Sequence, residues 1–499
     1  MLHNGEGGRL WLLMALVAVV TTAVALTALD SRATYGAQTT ADEPQYLTTA
    51  LSLAEDFDLD ISDELENDAF IPFHEIGLNP QTIDLTEDGQ RISPHDPLLP
   101  LITAPAMGLG GWQAVKVQLA VMGGITAAAT LWLAVRRFGV SPGVAAWVVG
   151  GLHASPPLVS YANQVYPELP AALTVVLGVA ALTAPNPTRR HRLIAVVAIV
   201  ALPWLAVKYV PVASVLAAGL FLPLVRTSNR RPVVSPTVWP YAALLAVSGV
   251  VYLVVHQRIY GGWTVYASGD HFVDGEWQVV GRNPDYVGRT LRLIGLLIDR
   301  GFGLIPWAPA YLAFAPAVAH VAMRRPTGWR LPMAVLAAGW ATATWVALTM
   351  HGWWWPGRQV VVVLPIATVF IALLVDSHRR LLRPFIVASA LGIMSWVWLA
   401  YETSTDRRTL VVDFGATANP WYRAWSRLFP DHRLMDNVQL VPTVIWGVIL
   451  GFAALVAARE AQRHRREAQR DADQPASNDT DDGPDESAPM SSTSGNAAP

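Results

Sequence analysis

The sequence predicts an all-α polytopic membrane protein with about 12 transmembrane helices and extracytoplasmic loops that carry short interfacial helices. Three observations predict it. Of the 499 residues 53% are hydrophobic and only 15% charged, a balance that leaves too little charge to cover a water-exposed surface. Apolar runs long enough to span a bilayer recur along the chain, and arginine clusters fall on alternate connectors between them. Net charge is only −3, so no basic field marks a nucleic-acid partner. Cysteine is absent, which excludes disulfides, thiolate metal sites and cysteine nucleophiles.

The first run, Arg9 to about Leu29, has no obvious small-residue cleavage site. Its roughly 20 residues suffice for the ~30 Å hydrocarbon core, so it reads as a retained helix and not a signal peptide. Further runs follow at about 113–134, 140–158, 168–184, 193–207, 209–225, 238–257, 303–323, 331–350, 359–376, 384–402 and 439–458. Segment 97–110 is short and rich in proline and glycine, which predicts a re-entrant or interfacial stretch.

Orientation follows from positive charge retained on the cytoplasmic side. Arg136 and Arg137, then Arg189 to Arg192, Arg226 to Arg231, Arg324 to Arg330 and Arg379 to Arg383 occupy alternate connectors, and the stretch Arg459 to Arg470 falls on the same side. Both termini are then cytoplasmic in a cell (plasma) membrane. Loops 30–97, 258–302 and 403–438 face outward. Residues 1–458 form the membrane unit, and 459–499 a tail that is first basic and, after about Asp471, disordered in composition. In the third outward loop, Asn419-Pro420 followed by Trp421, Trp425, Leu428 and Phe429 predicts an amphipathic helix in the headgroup region.

The first outward loop holds 16 of the 38 acidic residues. Glu55 to Asp68 read as a solvated face or a loose cation-binding stretch. Asp42 and Glu43 are different, because they open a helix-like segment through Tyr46, Ala50 and Leu51 just beyond the first span. The pair is either a helix start, with Asp42 and Gln45 as a capping box, or a carboxylate pair held at the membrane surface for chemistry. His74-Glu75, His95-Asp96 and Asp270-His271 lack the i, i+4 spacing of a helical metal site. No metal ligand is assigned to them.

Ala41-Asp42-Glu43-Pro44-Gln45-Tyr46 resembles the first-loop motif of the GT-C glycosyltransferases, in the branch of the aminoarabinose transferases and protein O-mannosyltransferases. Other pieces agree in order: Pro94 to Leu98, Tyr166-Pro167-Glu168-Leu169-Pro170, Leu202-Pro203-Trp204 with Lys208-Tyr209, Arg300 to Leu304, and Pro356-Gly357-Arg358 with Leu364-Pro365. The likeness covers 9–376. It implies an inverting transfer of one sugar from a polyprenyl-phosphate donor to an envelope glycan, lipid or protein acceptor. By position it makes Asp42 the general base, with Glu43 orienting it, holding the acceptor or helping to bind a cation.

A departing phosphate needs fixed positive charge beside it. Arg358 is the first candidate, opening a span after an outward turn, and its guanidinium fits phosphate as a fork. Lys208 is the second. It is one of only two lysines, the other being Lys116, and it follows apolar Leu205-Ala206-Val207, where an unpaired lysine costs about 2.5–3.5 kcal/mol. Tyr46, Glu168 and His95 are expected to contact substrate. A divalent cation is left open as a cofactor. The alternative reading is a transporter or flippase for a lipid-linked or small polar solute. It would need ionisable groups at mid-bilayer, whereas the acids here gather at one surface.

Overall fold

The computed structural model describes residues 3–82, 89–228, 231–272, 275–434 and 437–473. The expected disordered segment beyond Asp471 falls almost wholly on 474–499, outside the described residues. The described chain is helical apart from isolated bridges and one antiparallel hairpin, β1 (Val225–Ser228) with β2 (Arg231–Val234), on an arginine-bearing connector.

The chain begins with α1 (His3–Leu26). The first loop then folds α2 (Glu43–Glu55) and α3 (Ser62–Glu66), and α4 (Leu98–Phe138) runs for 41 residues. Residues 97–110, the stretch expected to be re-entrant or interfacial, lie on the near side of a sharp kink in this helix. Those residues are the first arm of α4, and the break falls at Gly110 and Gly111, whose backbones leave helical geometry. Gln118 reaches back across the break and donates to the Ile102 carbonyl at 3.0 Å, a contact that ties the two arms together. Next come α5 (Pro142–His153), α6 (Leu158–Tyr161), α7 (Glu168–Leu182), α8 (Arg189–Leu205), α9 (Val210–Phe221) and α10 (Val238–Tyr260). Two short outer helices, α11 (Tyr286–Arg289) and α12 (Arg292–Ile298), precede α13 (Leu304–Trp307), α14 (Phe314–Arg324), α15 (Arg330–Ala341), α16 (Leu364–Ser377) and α17 (Leu382–Ser404). The chain closes with α18 (Pro420–Trp425) and α19 (Leu440–Asp473), so the basic stretch after residue 458 continues the last helix.

All 12 expected spans fall on helices, but among the described residues seven are long and apolar enough to cross a membrane. The other five are α5 with 12 residues, α7 with 15, α8 with 17, α14 with 11 and α15 with 12. At 1.5 Å per residue a 12-residue helix is about 18 Å long, short of the ~30 Å core. Proline and local unwinding explain the shortening: Pro156 and Pro157 follow α5, Pro309 separates α13 from α14, and a π turn over Thr342–Val346 ends α15.

The core of the bundle is α16, buried from Leu364 through Val375, with α4, α5 and α14 against it. The outer helices α1 and α10 leave apolar side chains such as Trp11, Leu12, Val247 and Val250 exposed, as a lipid-facing surface requires. Helices α1 and α4 approach so closely that a Cβ on Gly124 would lie 2.6 Å from the Ala18 carbonyl, the contact that small residues permit between membrane helices.

The two ends of the bundle differ in charge. At one end the arginine connectors meet: Arg137 donates to the Ala180 carbonyl, Arg379 to Ser141, and Arg380 to Glu460. At the other end the three long loops knit into one layer. Leu410 N–H donates to Arg32 O at 2.7 Å, Arg300 N–H to Pro430 O at 2.7 Å, and Thr82 bridges Gly269. The helix expected after Asn419 is α18. Asn419 caps it by accepting from the N–H groups of Trp421 and Tyr422, and the Tyr422 ring is buried, stacked on Trp307 at 3.8 Å.

Candidate active site

Asp42 stands just before α2, in the position of a helix cap, yet its side chain makes no capping hydrogen bond. Glu43 instead holds neighbouring backbone. One Glu43 oxygen accepts from Thr40 N–H at 3.1 Å and the other from Val165 N–H at 2.8 Å, with the residue 1% exposed. Burial, against the pull of Lys116 and those two donors, pushes the Glu43 carboxyl above its ordinary value. Glu43 fastens the start of α2 to the turn before α7. Replacing it with Gln puts an amide NH2 against a main-chain donor. We expect Glu43→Gln to cost about 1–3 kcal/mol of stability, read as a lowered melting temperature in detergent.

The Asp42 carboxylate, not spent on a cap, enters a cavity of about 390 Å³ under the loop layer. One Asp42 oxygen accepts from Arg358 Nη2 at 2.7 Å, and the other lies 3.8 Å from His95 Nε2. Arg358 Nε donates to Glu168 Oε1 at 2.8 Å, and Lys208 Nζ donates to the same oxygen at 2.7 Å. Asp42, Arg358, Glu168 and Lys208 thus form a chain of alternating sign in which two acids offset two bases. Burial by itself raises the Asp42 pKa; the charge of Arg358 and the contact with His95 outweigh it and hold the carboxyl well below the usual range.

Each partner is placed by its local fold. Arg358 opens the 3-10 turn Arg358–Val363 that leads into α16. The turn before it needs Gly357, which has φ +81° and whose Cβ would meet Leu304 and Pro157 at 2.8 and 2.9 Å. Substituting alanine there strains the backbone and moves Arg358. Gly357→Ala is expected to lower any activity of this site at least about tenfold, checked by transfer assay on protein that still elutes as a single detergent-solubilised species. The Arg358 guanidinium lies over the rings of Tyr166 at 4.1 Å and Trp354 at 5.0 Å, cation–π contacts that fix its plane.

Glu168 is the first residue of α7, after Pro167, and is 1% exposed. Lys208 lies in the turn between α8 and α9, and Asp96 holds that turn by accepting from Val207 N–H at 3.0 Å. The other Asp96 oxygen accepts from Tyr252 O–H at 3.2 Å and faces His256 Nε2 at 3.2 Å. His95, the neighbour of Asp96, packs its ring against the Tyr46 edge, centroids 4.7 Å apart, and bonds Ser93 through Nδ1 at 2.8 Å.

The structure therefore brings six of the seven candidate residues together: Asp42, Tyr46, His95, Glu168, Lys208 and Arg358. The seventh, Glu43, backs the site. The sequence reading missed the supporting role of Asp96 with His256 and the platform formed by Tyr166 under Arg358. A clue was available for the second, since Tyr166 stands two residues before Glu168. His74-Glu75 is spent elsewhere, His74 on Thr39 and Glu75 on Arg32. Asp270 and His271 contact one another at the rim.

No protein-family model and no curated protein matches this chain. Solved structures do. The apo crystal structure of ArnT from Cupriavidus metallidurans superposes with a TM-score of 0.50 at 17% identity, over 92% of this chain and 78% of that one. The fold is of the GT-C type. A second ArnT structure, bound to undecaprenyl phosphate, matches at 16% identity and a TM-score of 0.49, over 91% of this chain and 78% of ArnT. The Archaeoglobus fulgidus oligosaccharyltransferase matches at 11% and 0.39, over 90% of this chain and 56% of that protein. At such identities the likeness speaks to the fold alone. In this GT-C fold the ion-paired chain lies between the loop layer and the ends of α7, α9 and α16.

Proposed function

We propose that this protein is an extracytoplasmic membrane glycosyltransferase. It moves one sugar from a polyprenyl-phosphate carrier to a cell-envelope glycan, lipid or protein, with inversion at the anomeric carbon. The observation that carries the reading is Asp42 within 2.7 Å of Arg358 in one cavity, with Lys208 linked through Glu168. An acid able to take a proton and cations able to receive a phosphate thus share a site. The GT-C fold supports it, and ArnT itself has been crystallised with undecaprenyl phosphate.

A lipid donor must reach the site from the bilayer. Beside the cavity lies an apolar hollow of about 610 Å³ between α8, α9 and α10, walled by Pro203, Trp204, Val207, Val210 and Leu245. The two adjoin along residues 206–208 and 264–265. A polyprenyl chain in the hollow would present its phosphate at Lys208 and Arg358. The tendency of arginine-bearing connectors to stay in the cytoplasm supports a site on the outer face, with both described ends of the chain inside.

In the reaction the acceptor hydroxyl attacks the anomeric carbon and passes its proton to Asp42 as the bond from that carbon to the phosphate oxygen breaks. The electron pair leaves with the lipid phosphate, so no acid need protonate it, unlike glycoside hydrolysis. Arg358 links the two events. Paired with Asp42 it makes the carboxylate a weak base; drawn toward an arriving phosphate it releases that carboxylate and restores its basicity. Arg358 and Lys208 then face the charge that grows on the leaving group, where one placed donor is worth about 3–4 kcal/mol. Purified protein given a panel of polyprenyl-phosphate sugars and envelope acceptors should form a glycoside of inverted configuration, read by NMR. Absence of transfer across the panel, or a product of retained configuration, would overturn the proposal.

A further inference from the structure

The first loop contains a second group of acids, at the far end of α2 from Asp42 and unused by the proposed reaction. Asp56 follows the last turn of α2, and Asp63 and Glu64 lie in the first turn of α3. One carboxylate oxygen from each lies within 4.8 Å of the others. Carboxylate clusters on loops are common as solvated faces, and Asp56 and Asp63 are exposed.

Glu64 is not of that kind. It is 3% exposed, and neither of its carboxylate oxygens has a hydrogen-bond partner. A buried carboxylate left without a donor is among the costlier arrangements in a folded chain. A shared proton would join at most two of the three carboxylates and leave the third opposed. A divalent cation answers all three at once.

We propose that Asp56, Asp63 and Glu64 bind one hard divalent cation, calcium in preference to magnesium, which ties the end of α2 to the start of α3. Calcium holds oxygens at 2.3–2.6 Å in flexible geometry with six to eight ligands, so oxygens on opposite sides of the ion stand about 5 Å apart. The spacing here fits that range. The exposed sides of Asp56 and Asp63 leave room for the waters that complete the shell. Magnesium demands a tighter octahedron and surrenders its water reluctantly. The consequence reaches the candidate active site through the backbone: α2 carries Asp42 at its start and the cation ligand Asp56 at its end, so the ion fixes the helix that aims the base.

The test uses the full chain in detergent after exhaustive chelation. Calcium alone is titrated calorimetrically, and the melting temperature is followed with calcium or magnesium added back. One calcium per chain is expected, with a rise of a few degrees at saturating ion, and a smaller rise with magnesium at equal concentration. Glu64→Gln should abolish both binding and rise. Asp63→Asn, at an exposed position that leaves the fold intact, should weaken binding at least about tenfold. No calcium binding by the parent chain, or a rise that survives in both variants, overturns the proposal. These readouts involve no sugar transfer, so they stand apart from the fate of the proposed enzymatic activity.

Discussion

Asp42→Asn is expected to reduce sugar transfer by about 10²- to 10⁴-fold, the range a positioned general base supplies, while leaving the fold and donor affinity nearly intact. The amide keeps an oxygen that accepts from Arg358, so the 2.7 Å contact seen for the carboxylate can persist in neutral form. What disappears is the capacity to take a proton. The split matters: transfer rate should fall while binding of the polyprenyl-phosphate donor, measured separately, holds within a few-fold. Undiminished transfer would remove Asp42 from the base role. The parent protein also carries a pH signature. Asp42 titrates below its ordinary value of 3.8 in the folded chain, so its contribution to stability is fully present above that ordinary value. It is lost as the pH falls through the lower folded value. Between pH 5 and 8 the Asp42 carboxylate stays charged, and thermal melting should show no change traceable to it; Asp42→Asn should lose the acid-side decline that Asp42 causes.

Arg358→Ala is expected to abolish transfer and to destabilise the chain by about 3–5 kcal/mol, because it strips one partner from buried carboxylates. Glu168 is 1% exposed and would keep only Lys208; Asp42 would lose its 2.7 Å donor. Arg358→Lys separates charge from geometry. A lysine keeps the positive charge but cannot bridge Asp42 and Glu168 through two nitrogens of one plane, nor lie flat on Tyr166. It should recover much of the melting temperature and little of the activity. Combining Arg358→Ala with Glu168→Gln removes the buried charge left behind, and should restore part of the lost stability while transfer stays absent. If Arg358→Ala melts like the parent protein, the ion-paired chain does not exist in the membrane as described. If it transfers sugar at the parent rate, the phosphate is received elsewhere.

Much of the fold was legible because a bilayer constrains sequence strongly. Every buried backbone group in lipid must be satisfied within a helix, so spans leave long apolar runs and their connectors collect arginine. Segment 97–110 was legible as a separate arm because proline and glycine mark a break, which falls at Gly110 and Gly111, with α1 and α2 packed against α4. The expected 12 spans divide into seven long helices and five shorter ones. Apolar content marks a segment as buried without fixing how far its helix runs, and proline or local unwinding cuts α5, α14 and α15 short.

Six of seven candidate site residues meet because each was picked at the same end of a span, and a bundle gathers those ends. The different settings of Asp42 and Glu43 were not legible, because two adjacent carboxylates look alike in sequence. Successive residues at a helix start point in different directions, and only the neighbouring Val165 N–H, 122 positions away, shows that Glu43 is the one spent on structure. Asp96 and His256, 160 positions apart, carry no local pattern at all.

The amino-acid sequence alone determined that this chain lives in a membrane, which end of each helix bears arginine, and which ionisable residues stand at the opposite end, since these follow from composition and period along one dimension. Tertiary structure alone decided that Arg358 lies between Asp42 and Glu168, that Lys208 shares the same glutamate, and that Glu64 is buried without a partner. Ion pairing depends on distances of a few ångströms between residues hundreds of positions apart, and helix packing, not local propensity, sets those distances.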